Sequence, residues 1–162
     1  MRTQSRSVLF LSALALAACG GSSTPTGSNN NNGNNTNVHG TMTATVNGSA
    51  FSASYISRAT VSGNIISIVG EQVLGTTNIT SITFAVGNIS VGTFSLANTD
   101  AHGGNAILTL GTNVYSSAAS GGSGSVIFTA YDSTHIAGTF SFVGVASTGN
   151  ATVTNGQFDL TF

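Results

Sequence analysis

The chain has 162 residues, of which 40% are hydrophobic and only 4% charged. Its basic residues are Arg2, Arg6 and Arg58, with no lysine, which excludes phosphate-tracking nucleic-acid binding, a polybasic lipid patch and Schiff-base chemistry. Cys19 is the single cysteine, so the fold forms without an internal disulfide.

Arg2 and Arg6 precede an apolar run from Val8 to Ala18, too short to span a hydrocarbon core of about 30 Å. The small residues Ala17 and Ala18 then lead into Cys19. Leu16-Ala17-Ala18-Cys19 in this position resembles a bacterial lipoprotein signal. The resemblance implies that residues 1–18 are removed and that Cys19 becomes the lipid-modified first residue. It implies more than one acyl chain on Cys19, each buried methylene contributing about 0.8 kcal/mol, and hence stable anchoring. Gly20, rather than an aspartate, follows the cysteine. By resemblance to lipoprotein sorting in two-membrane bacteria, that points to the outer membrane of the cell envelope.

Residues 19–40 then read as a Gly/Ser/Asn-rich linker. Asn29 to Asn37 is nearly all asparagine, and so few apolar side chains cannot offset chain entropy. A disordered linker of this length has an end-to-end distance of about 25 Å. His39, at its end, reads as a solvated residue.

From Thr41 the pattern changes to period two, and residues 41–162 read as one all-β domain. Met42, Ala44 and Val46 alternate with threonines, and Phe51, Ala53 and Tyr55 with serines. The same alternation recurs at Ile82-Phe84-Val86, Phe94-Leu96, Phe140-Phe142 and Phe158-Leu160-Phe162. Each run predicts a half-buried strand, apolar side in and hydroxyl side out. Asn47-Gly48 and Asn155-Gly156 predict tight hairpin turns. Ser125 to Tyr131, apolar on both faces, predicts a central strand. The links are short, so neighbours should be antiparallel. The expected fold is an antiparallel β-sandwich or a partly closed β-barrel of about 8–10 strands.

Gly92-Thr-Phe-Ser-Leu is echoed by Gly138-Thr-Phe-Ser-Phe. Each glycine predicts a bulge or a close backbone approach where the strand enters. With Thr43-Ala-Thr-Val-Asn-Gly-Ser-Ala-Phe-Ser-Ala and Val153-Thr-Asn-Gly-Gln-Phe-Asp, these segments resemble a family of bacterial envelope lipoproteins whose domain has no assigned function. The resemblance implies an all-β envelope lipoprotein and supplies no catalytic residues.

Two acid–histidine clusters stand out, Asp100-Ala-His102 and Asp132-Ser-Thr-His135, both in expected loops. If the loops met, Asp100, His102, Asp132 and His135 could ligate a transition metal or perform acid–base chemistry. The plainer reading is that Asp100 and Asp132 are turn residues bonding nearby backbone. No Gly-x-Ser-x-Gly elbow is present for a serine nucleophile, and no Asp-x-Asp calcium motif. Threonine rows on the outer face could dock a polysaccharide. Sugar sites usually add exposed aromatics, however, and tryptophan is absent, so the rows read first as what keeps a low-charge sheet soluble.

These features predict a membrane-anchored envelope lipoprotein, non-enzymatic and without a cofactor. It would serve as a binding or structural module for an envelope protein or polysaccharide. The alternatives are a carrier of a small apolar ligand inside an empty barrel, or a metal-assisted hydrolase using the two Asp/His clusters.

Overall fold

Most of the period-two runs become strands, but Phe51-Ala53-Tyr55 is divided between two of them, with Ala53 and Ser54 outside both and Tyr55 exposed. The computed structural model describes residues 38–61, 65–75, 78–97 and 103–162, without the side chains of residues 57–61. The strands are β1 (His39–Val46), β2 (Ser49–Ser52), β3 (Tyr55–Val61), β4 (Ile65–Leu74), β5 (Asn78–Gly87) and β6 (Gly92–Ser95). β7 (Gly104–Leu110), β8 (Asn113–Ser116), β9 (Ser123–Tyr131), β10 (His135–Ala146) and β11 (Gly149–Thr161) follow. Among the described residues no helix is long and apolar enough to cross a membrane.

All eleven strands belong to one antiparallel sheet, in the order β2-β1-β11-β10-β8-β7-β5-β4-β3. β10 is shared between partners: Ile136 to Val143 pair with β9, whereas Val145 pairs with Ser116 of β8. β6 pairs with the other edge of β9. The two ends of the strand order, β2 and β3, are separated in the chain only by Ala53 and Ser54. Ala53 N donates to Met42 O of β1 at 2.9 Å, and Ser54 N to Glu71 O of β4 at 2.7 Å. The sheet therefore curls until its ends meet at a two-residue link, although no ladder closes it.

The interior is filled with aromatic side chains. Phe84 of β5 lies 5.3 Å, ring centroid to ring centroid, from Phe140 of β10 and 5.4 Å from Phe158 of β11. Phe128 of β9 joins Phe158 at 5.7 Å and Phe94 of β6 at 5.5 Å. β5 is far from β10 and β11 in the strand order, so these rings meet across the sheet's hollow. Ile68, Ile82, Leu96, Leu108 and Leu160 complete the packing, each fully buried. A carrier of an apolar ligand needs that space empty.

Ser117, the one buried polar residue among those described, fastens the place where β6, β7 and β8 converge. Its Oγ donates to Leu96 O and accepts from Ala106 N at 2.7 Å, while its own N donates to Ala106 O at 2.9 Å. A short bridge between Ala97 and Asn105 lies beside it. A buried hydroxyl is costly unless bonded, and this one is bonded in both directions.

Three further expectations need correction. Asn155-Gly156 is not a hairpin but a bulge inside β11, where Thr154 and Asn155 together oppose Ser141. Asn155 has φ +52°, and a Cβ on Gly156 would fall 2.6 Å from the ring of Phe140. The Asn-Gly pair thus serves a left-handed residue and a close approach, as a turn would, but in mid-strand. Second, β9 is central in being paired on both edges, with β10 and β6, but only one of its apolar faces is buried: Val126 and Phe128 are buried while Ile127 is 41% exposed. Third, His135 is not in a loop but opens β10. Asn47-Gly48 does form the β1–β2 hairpin, with φ of +48° and +84°. The Asn47 side chain also reaches outward, accepting from Thr152 N at 2.8 Å.

The two Gly-Thr-Phe-Ser copies flank β9 in identical register. Gly92 and Gly138 both oppose Phe128, Thr93 and Thr139 oppose Ile127, Phe94 and Phe140 oppose Val126, and Ser95 and Ser141 oppose Ser125. The echo in the sequence is thus a local symmetry about one strand.

Candidate functional site

The outer face of β9, β10 and β11 carries a shallow open groove. The pleat turns Ser125 and Ile127, then Thr139 and Ser141, then Thr154 and Gln157 outward. Ladder register sets Thr139 between Ile127 and Gln157, and Ser141 beside Ser125. The bulge at Asn155 breaks the plane of β11 here and leaves an open groove of about 440 Å³, with Phe140 and Gly156 in its floor. None of its lining residues is charged. Among the described residues, no protein group hydrogen-bonds the hydroxyls and amides of Ser125, Thr139, Ser141, Thr154, Asn155 and Gln157. The groove therefore holds a set of uncommitted neutral donors and acceptors.

Asp132 and His135 are close in the chain but have separate tasks. Asp132 Oδ1 accepts from Thr134 N at 2.7 Å, Thr134 Oγ1 at 2.8 Å and His135 N at 2.9 Å. These bonds tie the β9–β10 turn. The Thr134 backbone N–H, then its hydroxyl, and less strongly the His135 N–H hold the Asp132 carboxyl below its ordinary value, outweighing the desolvation that opposes them. Asp132 N also donates to His135 O, and Phe162 N to Thr134 O, both at 2.9 Å. The ring of His135 turns instead toward β11, where Nε2 donates to Asp159 Oδ1 at 2.9 Å. Asp132 is thus a turn residue, and the His135 ring is committed to a hydrogen bond across to Asp159. Among the described residues, no three His, Cys, Asp or Glu side chains are grouped closely enough to hold a metal ion. Asp100, His102 and Cys19 lie outside the described residues.

The sequence reading passed over the groove, although a signal for it exists. Ala151 and Val153 bury odd positions of β11, whereas Phe158 and Leu160 bury even ones. One strand can change parity only through an extra residue, and that residue is the bulge beneath the groove.

The family model described as Domain of unknown function (DUF6252) matches residues 38–159. This chain belongs to the DUF6252 family. The matched span runs from Val38, just before β1, to Asp159 in β11, so the DUF6252 domain includes both the groove and the Asp132 turn. Neither the curated proteins nor the solved structures offer a significant match to the chain.

Proposed function

We propose that this DUF6252 protein is a lipid-anchored protein of the bacterial envelope that presents its β domain as a non-catalytic interaction module. The observation that carries the proposal is the order of segments. A basic-then-apolar leader ends in Leu16-Ala17-Ala18-Cys19, a Gly/Ser/Asn-rich spacer follows, and the DUF6252 domain begins at residue 38. Acylated Cys19 holds the chain at the outer membrane, and the spacer separates the domain from the lipid headgroups. The side chains of the domain support a binding role over a chemical one. Asp132 is committed to its turn and His135 to Asp159, whereas the hydroxyls and amides of the groove are free to meet a partner.

The test is phase partition of the full chain expressed in a two-membrane bacterium. The native protein should enter the detergent phase, incorporate labelled palmitate and sediment with outer-membrane vesicles. Cys19→Ser should move it to the aqueous phase without label. A native chain that stays aqueous and unlabelled overturns the anchor.

A further inference from the structure

We infer that the groove over β9, β10 and β11 is a binding site for a neutral glycan, an inference that rests on the display reading above because such polymers meet the domain outside the cytoplasm. Three observations carry it. The first is charge. The groove is lined by Ser, Thr, Asn, Gln, Gly, Ile and Phe alone, so it gains nothing from an anion or a cation and pays no desolvation penalty for an ionised side chain. The second is hydrogen-bonding character. Hydroxyls and side-chain amides both donate and accept, and a sugar hydroxyl demands both. The six polar side chains here are uncommitted. A peptide would be read by apolar pockets or by a free strand edge, whereas this surface is a sheet face whose strands are already paired.

The third observation is spacing. Adjacent strands stand about 4.8 Å apart, close to the advance of one sugar along an extended glycan chain. Ile127, Thr139 and Gln157 form a row directly across β9, β10 and β11. A glycan lying across the strands would set successive sugars over successive side chains of that row. Ile127, 41% exposed, offers the apolar contact that a sugar ring face takes. Ser141, Ser125 and the bulged pair Thr154 and Asn155 form a second row beside it. A volume near 440 Å³ falls in the range of small-ligand sites and fits a short segment of a longer chain.

The experiment is isothermal titration of the full-length protein, in detergent, with cellohexaose, chitohexaose and laminarihexaose. Saturable binding to at least one, with Kd below about 1 mM, is expected. Gln157→Ala and Thr139→Ala, both at exposed positions, should each weaken that binding at least tenfold. Thr112→Ala, in the β7–β8 turn outside the groove, should leave it unchanged. Circular dichroism of each variant verifies the strand content. Absence of heat with all three sugars at millimolar concentration, or binding that the groove variants do not move, overturns the inference. Either result leaves detergent partition of the native chain intact, so failure of the site is distinguishable from failure of the anchor.

Discussion

β6 and β10 carry the same Gly-Thr-Phe-Ser sequence in the same register on β9, yet the molecule uses them differently. Gly138 is buried: a Cβ there would lie 2.2 Å from Ile127 O of β9, where the β9–β10 ladder shifts register, and 2.7 Å from the Phe158 ring of β11, the strand on the other side of β10. Among the described residues β6 has only β9 as a ladder partner, and around Gly92 there is open space. Phe140 contacts the rings of both Phe84 and Phe158, whereas among the described residues Phe94 touches the ring of Phe128 alone. A tetrapeptide therefore fixes strand, face and register, while the second neighbour determines how much of the core depends on it.

Substitution of the two copies is the strongest way to break this comparison. Gly138→Ala meets backbone as well as a packed ring and should cost more than the ~1–3 kcal/mol of ordinary overpacking. Phe140→Ala should cost about 3–5 kcal/mol, with Phe94→Ala at or below the lower end of that range. Urea unfolding of the four single variants checks the order, and equal losses in the two copies would sink the argument. Gly92→Ala faces no clash but has φ +146°, so its cost is backbone strain of about 1–3 kcal/mol.

Ser117→Ala tests the β6 side from another direction. It strands Leu96 O and Ala106 N in the interior, a loss of about 1–3 kcal/mol by thermal or urea melting. If the β6 end is held only by Phe94, the variant will melt with the parent.

The smallest effect belongs to the turn that feeds β10. Asp132 has its folded-state pKa lowered, so its contribution to stability is complete above the usual carboxylate range. That contribution fades as pH falls through the folded-state value. Asp132→Ala should lower Tm slightly at neutral pH and not at all in strong acid, where the two melting curves merge. A difference that persists in acid would show that the turn bonds do not depend on the ionised carboxylate.

Much of this fold is legible in the sequence, for a physical reason. The sheet has one wet face and one dry face, so alternation writes each strand directly, as in Met42, Ala44 and Val46. The Asn47-Gly48 turn was legible because two successive left-handed residues have few other uses. Asn155-Gly156 was misread because the local chemistry of a bulge and of a hairpin is the same, and only the parity change further along separates them. His135 could not be placed because its partner, Asp159, is fixed by β10–β11 register and not by sequence distance. The parity change marks the bulge beneath the groove but not the groove itself, for a related cause. The groove is made of ordinary outward residues that become a site only once three strands and a bulge align.

The pairing of β1 with β11 ties the start of the domain to its end: His39 opposes Thr161 and Val46 opposes Val153. β1 must wait for nearly the whole domain before it meets its main partner. Contacts this distant in sequence close slowly. A nascent or truncated chain that stops before Gly149 would leave one long edge on β1 and another on β10, both ready to pair with a neighbouring molecule. Folding of this domain accordingly waits for β11, and this thirteen-residue strand is the part whose loss exposes the rest to aggregation.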